Sequence, residues 1–355
     1  MKIKNIRAYS KNLGLTKAYT IAYEVCSEAI NAFLEIELEN GQTGYGSAAA
    51  SQYVFDEKIE DTIANLQSDK IQKWVGTDIR HFRSLIAESN VLFPDHSATR
   101  TAIDISLHDA FGKYLGIPVV DFYGRKHRSL PTSITIGISS VEETLKEARE
   151  YKEQGFKILK IKVGLNLEED IERILKLYET FGNHFKIRAD GNQGYDSIQT
   201  LAFVKATSSL GLELLEQPMQ VGKEAEMKKL PKEVRRIIAC DESLKNDKSA
   251  FLLASEPPAC GIFNIKLMKC GGLIGAFEIA TIAKASDIKL FWGCYDESIV
   301  SISAALHAAF ACPTTCYLDL DGSLQLAEDI VTGGFTLSDG ELSPLNLPGF
   351  GFKKI

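Results

Sequence analysis

The sequence predicts an α/β protein: a modified (β/α)7β barrel of the TIM type with an N-terminal α+β capping domain. Two observations lead there. Between about residues 130 and 322, eight short apolar runs end in polar residues at intervals of 25 to 28, with charged, helix-patterned segments between them. Eight strands alternating with helices close into a parallel barrel. The first 125 residues instead show antiparallel strand patterning followed by helices. A doubly wound open sheet would carry a Gly-rich dinucleotide turn after its first strand, and none is present.

In chain order, KIKNIRAYS, AFLEIELENG and QTGYGSAA are expected as antiparallel strands, the last two joined by a hairpin at Asn40-Gly41. HSATRTAIDISLHDAFGKYLG (96–116) is expected as an amphipathic helix that stops at Gly116, ahead of Pro118. The barrel strands are SITIGI (133–138), ILKIKVG (158–164), KIRADGN (186–192) and LELLEQP (212–218), then IIACDES (237–243), GIFNIKLMKCGG (261–272), IKLFWGC (288–294) and CYLDLDG (316–322). The capping domain is therefore expected over 1–125 and the barrel over 126–322. A Gly-, Pro- and Phe-rich segment, 323–355, is expected to return to the capping domain.

With 45% hydrophobic and 25% charged residues, the composition is that of a soluble globular chain, and no apolar run reaches bilayer length. Residues 1–10 alternate in polarity and lack the apolar centre of a signal peptide. A net charge of −7 argues against nucleic acid as a partner. Seven cysteines without a CxxC pair suit thiols in a reducing cytoplasm, and Cys312 with Cys316 lacks the second pair a metal site needs.

Enzymes on such barrels keep their chemistry at the C-terminal strand ends. Here those ends carry Thr135, Lys160 and Lys162, Asp190, Glu216, Asp241, Lys266, the stretch Asp296 to Ser298, and Asp319 with Asp321. Charges inside six successive apolar runs must compensate one another, because an unpaired buried charge costs several kcal/mol. Asp190, Glu216 and Asp241 fall on neighbouring strands; three carboxylates without His or Cys make a hard oxygen site for Mg²⁺, with Mn²⁺ able to substitute. The alternative is that these acids simply pair with the barrel lysines. Lys162 and Lys266 lie four strands apart in a ring of eight, on opposite sides of whatever the metal holds. Lys160, on the same face as Lys162, would lower its neighbour's pKa. A neutral amine beside a divalent cation can take a proton from a carbon next to a carboxylate, and a second lysine opposite can return one: a 1,1-proton transfer through a metal-stabilised enolate.

These residues resemble the enolase superfamily, and within it the muconate-lactonizing subgroup. The resemblance rests on the KxK motif Lys160-Ile161-Lys162, on Asp190, Glu216 and Asp241, on Lys266 in NIKLMKCGG, and on the linker DAFGKYLGIPVVDFYGRK. LDLDG, with Asp319 and Asp321, resembles the DxD of dipeptide epimerases of the L-Ala-D/L-Xaa type. The resemblance implies a small-molecule dipeptide whose carboxylate meets the metal and whose α-ammonium meets Asp319 and Asp321. The α-carbon of its second residue would lie between Lys162 and Lys266. Thr135, Lys160, Asp296 and Ser298 would contact the substrate. A loop at about 15–25 would cover the barrel mouth and set specificity. Relatives acting on Ala-Glu place a basic residue near position 24, where this chain has Glu24 among Tyr19, Ile21, Tyr23 and Val25. An apolar second residue is therefore expected, a cationic one standing next, after a small first residue such as Ala. An o-succinylbenzoate synthase or cycloisomerase of the same subgroup is the alternative reaction. Barrels of this type often form homo-oligomers, and no segment identifies an interface.

Overall fold

The structure, a computed structural model, describes residues 1–21 and 24–355, and the side chains of all of these except Ile21, Glu24 and Val25. Strand β1 (Ile3–Asn12) leads into a short antiparallel ribbon of β2 (Tyr19–Ile21) and β3 (Glu24–Cys26). β4 (Ile30–Leu38) then pairs antiparallel with β1 on one side and with β5 (Thr43–Ala48) on the other. Its turn falls where Asn40-Gly41 predicts: Leu38 and Gln42 close it, with the Leu38 amide donating to the Gln42 carbonyl at 2.8 Å.

The helix Ser97–Leu115 packs on this sheet so closely that β5 must be Gly-rich. A Cβ at Gly46 would sit 1.9 Å from the Ala102 carbonyl oxygen. The sequence suggests an amphipathic helix, but the structure buries it on nearly every side. The capping sheet covers one face and the barrel another, and its polar residues are consumed as ties rather than turned to water. Thr101 Oγ1 donates to the Leu267 carbonyl at 2.7 Å. Asp104 accepts from the Leu273 amide at 2.8 Å, which caps the N-terminus of the helix Leu273–Ala285. Gly272, just ahead of that helix, has φ +102°, and a Cβ there would lie 2.4 Å from the Asp104 side chain.

β6 (Leu130–Pro131) precedes the eight parallel strands. These are β7 (Ile134–Ile136), β8 (Ile158–Lys162), β9 (Lys186–Asp190), β10 (Leu212–Glu216), β11 (Ile238–Cys240), β12 (Ile262–Ile265), β13 (Lys289–Trp292) and β14 (Thr315–Leu318), hydrogen-bonded in that order. Each lies within one of the eight apolar runs apart from the first residue of β14. At the seam between β14 and β7 Thr132 bridges to Leu318, and the Ser133 amide donates to the Leu318 carbonyl at 3.0 Å. Leu214, Ala239, Ile262 and Phe291 fill the barrel interior together with Tyr317.

The chain after the barrel contacts the N-terminal strands at several points. Leu326 bridges to Leu15, Lys11 pairs with Glu328 at 2.7 Å, and Lys354 pairs with Glu35 at 2.8 Å. The stretch Glu341–Pro344 also pairs antiparallel with β6. Among the described residues no helix is long and apolar enough to cross a membrane.

Candidate active site

Side chains alternate along a strand, so residues two apart share a face. Leu214 in the barrel interior therefore puts Glu216 on the inward face at the strand end, and Ala239 does the same for Asp241. A cavity of about 400 Å³ opens at this end, lined by Thr135, Lys160, Lys162, Asp241, Lys266, Asp296, Asp319 and Asp321. Asp190 and Glu216 are fully buried at its floor.

The lysines of the cavity are each paired with acids. Lys160 Nζ lies 3.0 Å from Asp190, 2.8 Å from Glu216 and 2.8 Å from Asp319. Lys162 Nζ is 2.8 Å from Asp190 and donates to Asn192 Oδ1 at 3.1 Å. Across the barrel Lys266 Nζ is 2.8 Å from Asp241, which also accepts from Lys269. Burial works against the charge on Lys160, yet Asp190, Asp319 and Glu216 outweigh it and hold the lysine well above its usual value. Lys266 is likewise pushed up: burial opposes its charge, but Asp241 overcomes that, although Lys160 pulls the other way. Burial dominates at Lys269 and lowers it.

The three carboxylates expected to meet at one point do not do so with their side chains as placed. Among the described residues no three His, Cys, Asp or Glu groups stand within coordinating reach of a common centre. Each acid turns instead to the nearest ammonium, which an uncompensated buried charge requires. The residues nevertheless fit a hard divalent cation. Burial and Asp190 push Glu216 up to about 8, and burial with Asp241 pushes Glu242 up to about 7. Glu242 Oε2 is buried without a hydrogen-bond donor. More negative charge is gathered here than the lysines neutralise, and every donor is an oxygen.

The opposite wall is built from the strand seam. Asp319 accepts from Ser133 Oγ at 2.6 Å and from Lys160 at 2.8 Å, so both of its oxygens are engaged. Arg188, buried beneath, donates to Ser133 Oγ at 3.2 Å and to the Leu318 carbonyl at 2.5 Å, with its Nε on Glu213 at 2.8 Å. Asp321 accepts from the Thr135 amide at 2.8 Å, and burial with the nearby Asp319 raises its carboxyl to about 7. Thr135 thus acts through its backbone on Asp321. Asp296 accepts from the Tyr19 hydroxyl at 3.0 Å, which ties the capping ribbon to the barrel mouth.

Ser298 is placed differently from the expectation of a substrate contact. It is the N-cap of the helix Ile299–Ala311, with its hydroxyl donating to Asp329 at 2.8 Å and accepting from the Val300 amide. It is fully buried and absent from the cavity lining, because the helix start needs it. The side chain of Glu24, and Tyr23 with it, lie outside the described residues. The sequence reading missed Asn192, which links Lys162 to Glu242, and also Glu242, Lys269, Ser133 and Arg188. Arg188 was detectable as a charge inside the apolar run KIRAD, two residues before Asp190.

Comparison with known proteins follows the same lines. Residues 6–124 match the mandelate racemase / muconate lactonizing enzyme N-terminal domain, and residues 143–353 match the enolase C-terminal domain-like family. An L-Lys-D/L-Arg epimerase of Desulforapulum autotrophicum is 49% identical over 355 residues, the whole of both chains. An L-Ala-D/L-Glu epimerase of Clostridium acetobutylicum is 31% identical, covering 100% of this chain and 99% of its own. Among solved structures, the dipeptide epimerase from Methylococcus capsulatus complexed with Mg and the dipeptide L-Arg-D-Lys superposes with a TM-score of 0.97. It is 47% identical and covers 99% of each chain.

Proposed function

The chain belongs to the enolase superfamily, among the dipeptide epimerases of its mandelate racemase / muconate lactonizing branch, and from this premise we propose that it inverts the α-carbon of the second residue of cationic dipeptides. The observation that carries the proposal is the pair of buried lysines on opposite arcs of one cavity. Lys162 ends β8 and Lys266 follows β12, four strands further round the ring. One lysine takes the α-proton from one face of the carbon, and the other delivers a proton to the opposite face. The proton count closes and only the handedness changes.

Lys160 adds positive charge on the carboxylate side, while Asp319 and Asp321 hold the substrate's α-ammonium. Asp190, Glu216 and Asp241 would hold one Mg²⁺, with Mn²⁺ as a substitute. When bound, the ion supplies the positive charge that lets a carbon beside a carboxylate release its proton. Two features favour a Lys or Arg side chain over the apolar one suggested by the loop sequence. The cavity lining also carries Glu28 and Asp296 near its mouth, and a near relative is an L-Lys-D/L-Arg epimerase.

The test is to incubate L-Lys-L-Arg, L-Arg-L-Lys, L-Ala-L-Leu and L-Ala-L-Glu with the protein and Mg²⁺ in deuterated water. The expected result is a gain of one mass unit and inversion, fastest for the cationic pair. Faster labelling of Ala-Leu would overturn the cationic specificity. Loss of water from a substrate would move the reaction to the lyase alternative, and no labelling at all would overturn the epimerase.

A further inference from the structure

We infer that a second cavity, beside the one described above, receives the side chain of the substrate's first residue and selects a cationic one through Glu147; this rests on the dipeptide reading. The cavity measures about 620 Å³ and lies between residues 16–20, the helix Val141–Glu153 and the tail at Leu324 and Gln325. It shares Tyr19, Thr135 and Gln325 with the active-site cavity.

The two spaces meet at the end where the substrate's ammonium is held. Thr135, on the shared wall, anchors Asp321 through its amide at 2.8 Å. Gln325, also on that wall, donates to the Tyr151 hydroxyl inside the second cavity at 3.4 Å. The charges of Glu147 and Asp321 both reach Tyr151, adding to burial in raising its phenol. A first residue with its ammonium on Asp319 and Asp321, and its carbonyl directed toward the lysines, has only its side chain left besides hydrogen. The second cavity adjoins the shared wall of Tyr19, Thr135 and Gln325, where it can receive that substituent.

The lining suits a long cation. Ile138, Phe156 and Leu324 offer apolar wall along which an aliphatic stem can lie. Glu147 offers a largely covered carboxylate, and its present partner is informative. The ε-ammonium of Lys17, an exposed residue on the adjoining loop, sits 2.5 Å from Glu147 Oε1. The position is therefore already one that an ammonium takes, and a substrate Lys or Arg would displace Lys17 from it.

The test compares kcat/KM for L-Lys-L-Arg with that for L-Ala-L-Arg, in the Mg²⁺-loaded protein and in the variants Glu147→Gln and Lys17→Met. Glu147→Gln is expected to reduce the Lys-first over Ala-first ratio about tenfold, the effect of losing one partly screened ion pair. Lys17→Met, which removes the competing ammonium, is expected to raise the ratio. If the Lys17–Glu147 pair is only a strut between loop and barrel, the two substitutions break the same strut. They would then shift the ratio in the same direction or leave it unchanged, which overturns the subsite while dipeptide turnover persists. Absence of turnover of either dipeptide by the unaltered protein overturns the dipeptide reading and the subsite with it.

Discussion

Lys162 and Asp190 stand opposite each other on the last rung of the β8–β9 ladder, with Nζ 2.8 Å from the carboxylate. The backbone register itself holds this lysine at the floor of the cavity. Lys266 has no such rung and follows the end of β12, paired with Asp241. Lys162→Ala and Lys266→Ala should each abolish epimerisation, by a factor of about 10³ or more. Each should still exchange α-hydrogen for deuterium with one hand of substrate, and opposite hands for the two variants. Wild-type epimerisation by both variants would refute the assignment of bases.

Removal of divalent cations should silence the enzyme. Dialysis against EDTA is expected to abolish label exchange, and Mg²⁺ or Mn²⁺ to restore it. Since the cation binds the folded chain, a melting curve should also shift upward as Mg²⁺ is added. A melting temperature and activity both indifferent to chelation would count against the oxygen-donor site.

Asp321→Asn should act on binding. Asp321 is the carboxylate of the DxD pair whose protein partners are fewest, so losing its charge is expected to raise KM for dipeptides about tenfold with a smaller change in kcat. N-acetylated dipeptides, which lack the ammonium, should be almost unaffected by the substitution. An equal loss toward both substrate types would remove Asp321 from the ammonium-binding role.

Arg188→Met should destabilise the fold by about 3 kcal/mol, since it strips buried partners from Ser133, the Leu318 carbonyl and Glu213. Urea denaturation measures this directly. Ser133→Ala, a milder change, leaves one oxygen of Asp319 and one Arg188 donor without their buried partner and should lower stability by about 1 kcal/mol, less than Arg188→Met.

His307 predicts a specific acid sensitivity. Its Nδ1 accepts from the Val120 amide at 3.1 Å, and burial pushes the ring down to about 3 from 6.5. The folded state thus keeps the ring neutral while the unfolded chain protonates it below about pH 6.5. Its contribution to stability is complete above that pH and lost progressively as pH falls toward 3, amounting to as much as about 4 kcal/mol. His307→Gln should therefore flatten the fall in urea stability between pH 7 and pH 4; an unchanged slope would exclude the residue.

The barrel was legible because each apolar run announces its own polar end, and all eight strands lie where those runs predict. The helix 96–116 was legible in extent but not in environment. Thr101, Asp104 and Asp109 look like a solvated face until their partners on the barrel and tail are known. Within the site, lysines and acids at strand ends could be read from position alone. Arg188 showed only as a charge in an apolar run and Ser133 not at all, because the role of both depends on which strands meet at the seam. The cap role of Ser298 was legible locally: a serine ahead of IVSISAALHAAFA is placed to cap a helix, and its hydroxyl does so.

Thr101 and Asp104 grip the chain on either side of the short turn after Lys266, whereas Lys162 is held by the β8–β9 ladder itself, so the two proposed bases would have unequal mechanical support. The two epimers of a dipeptide are diastereomers, yet nothing in a pair of amines by itself prefers one hand at the reacting carbon. The scaffold is not mirror-symmetric, however. Lys162, proposed as one base, is seated in the barrel's own ladder; Lys266, proposed as the other, precedes a segment that the capping domain holds in place. Mild heat or low urea that slackens this junction first should slow isotope wash-in from one hand while the other still exchanges, so that an otherwise even-handed catalyst becomes temporarily stereoselective before it unfolds.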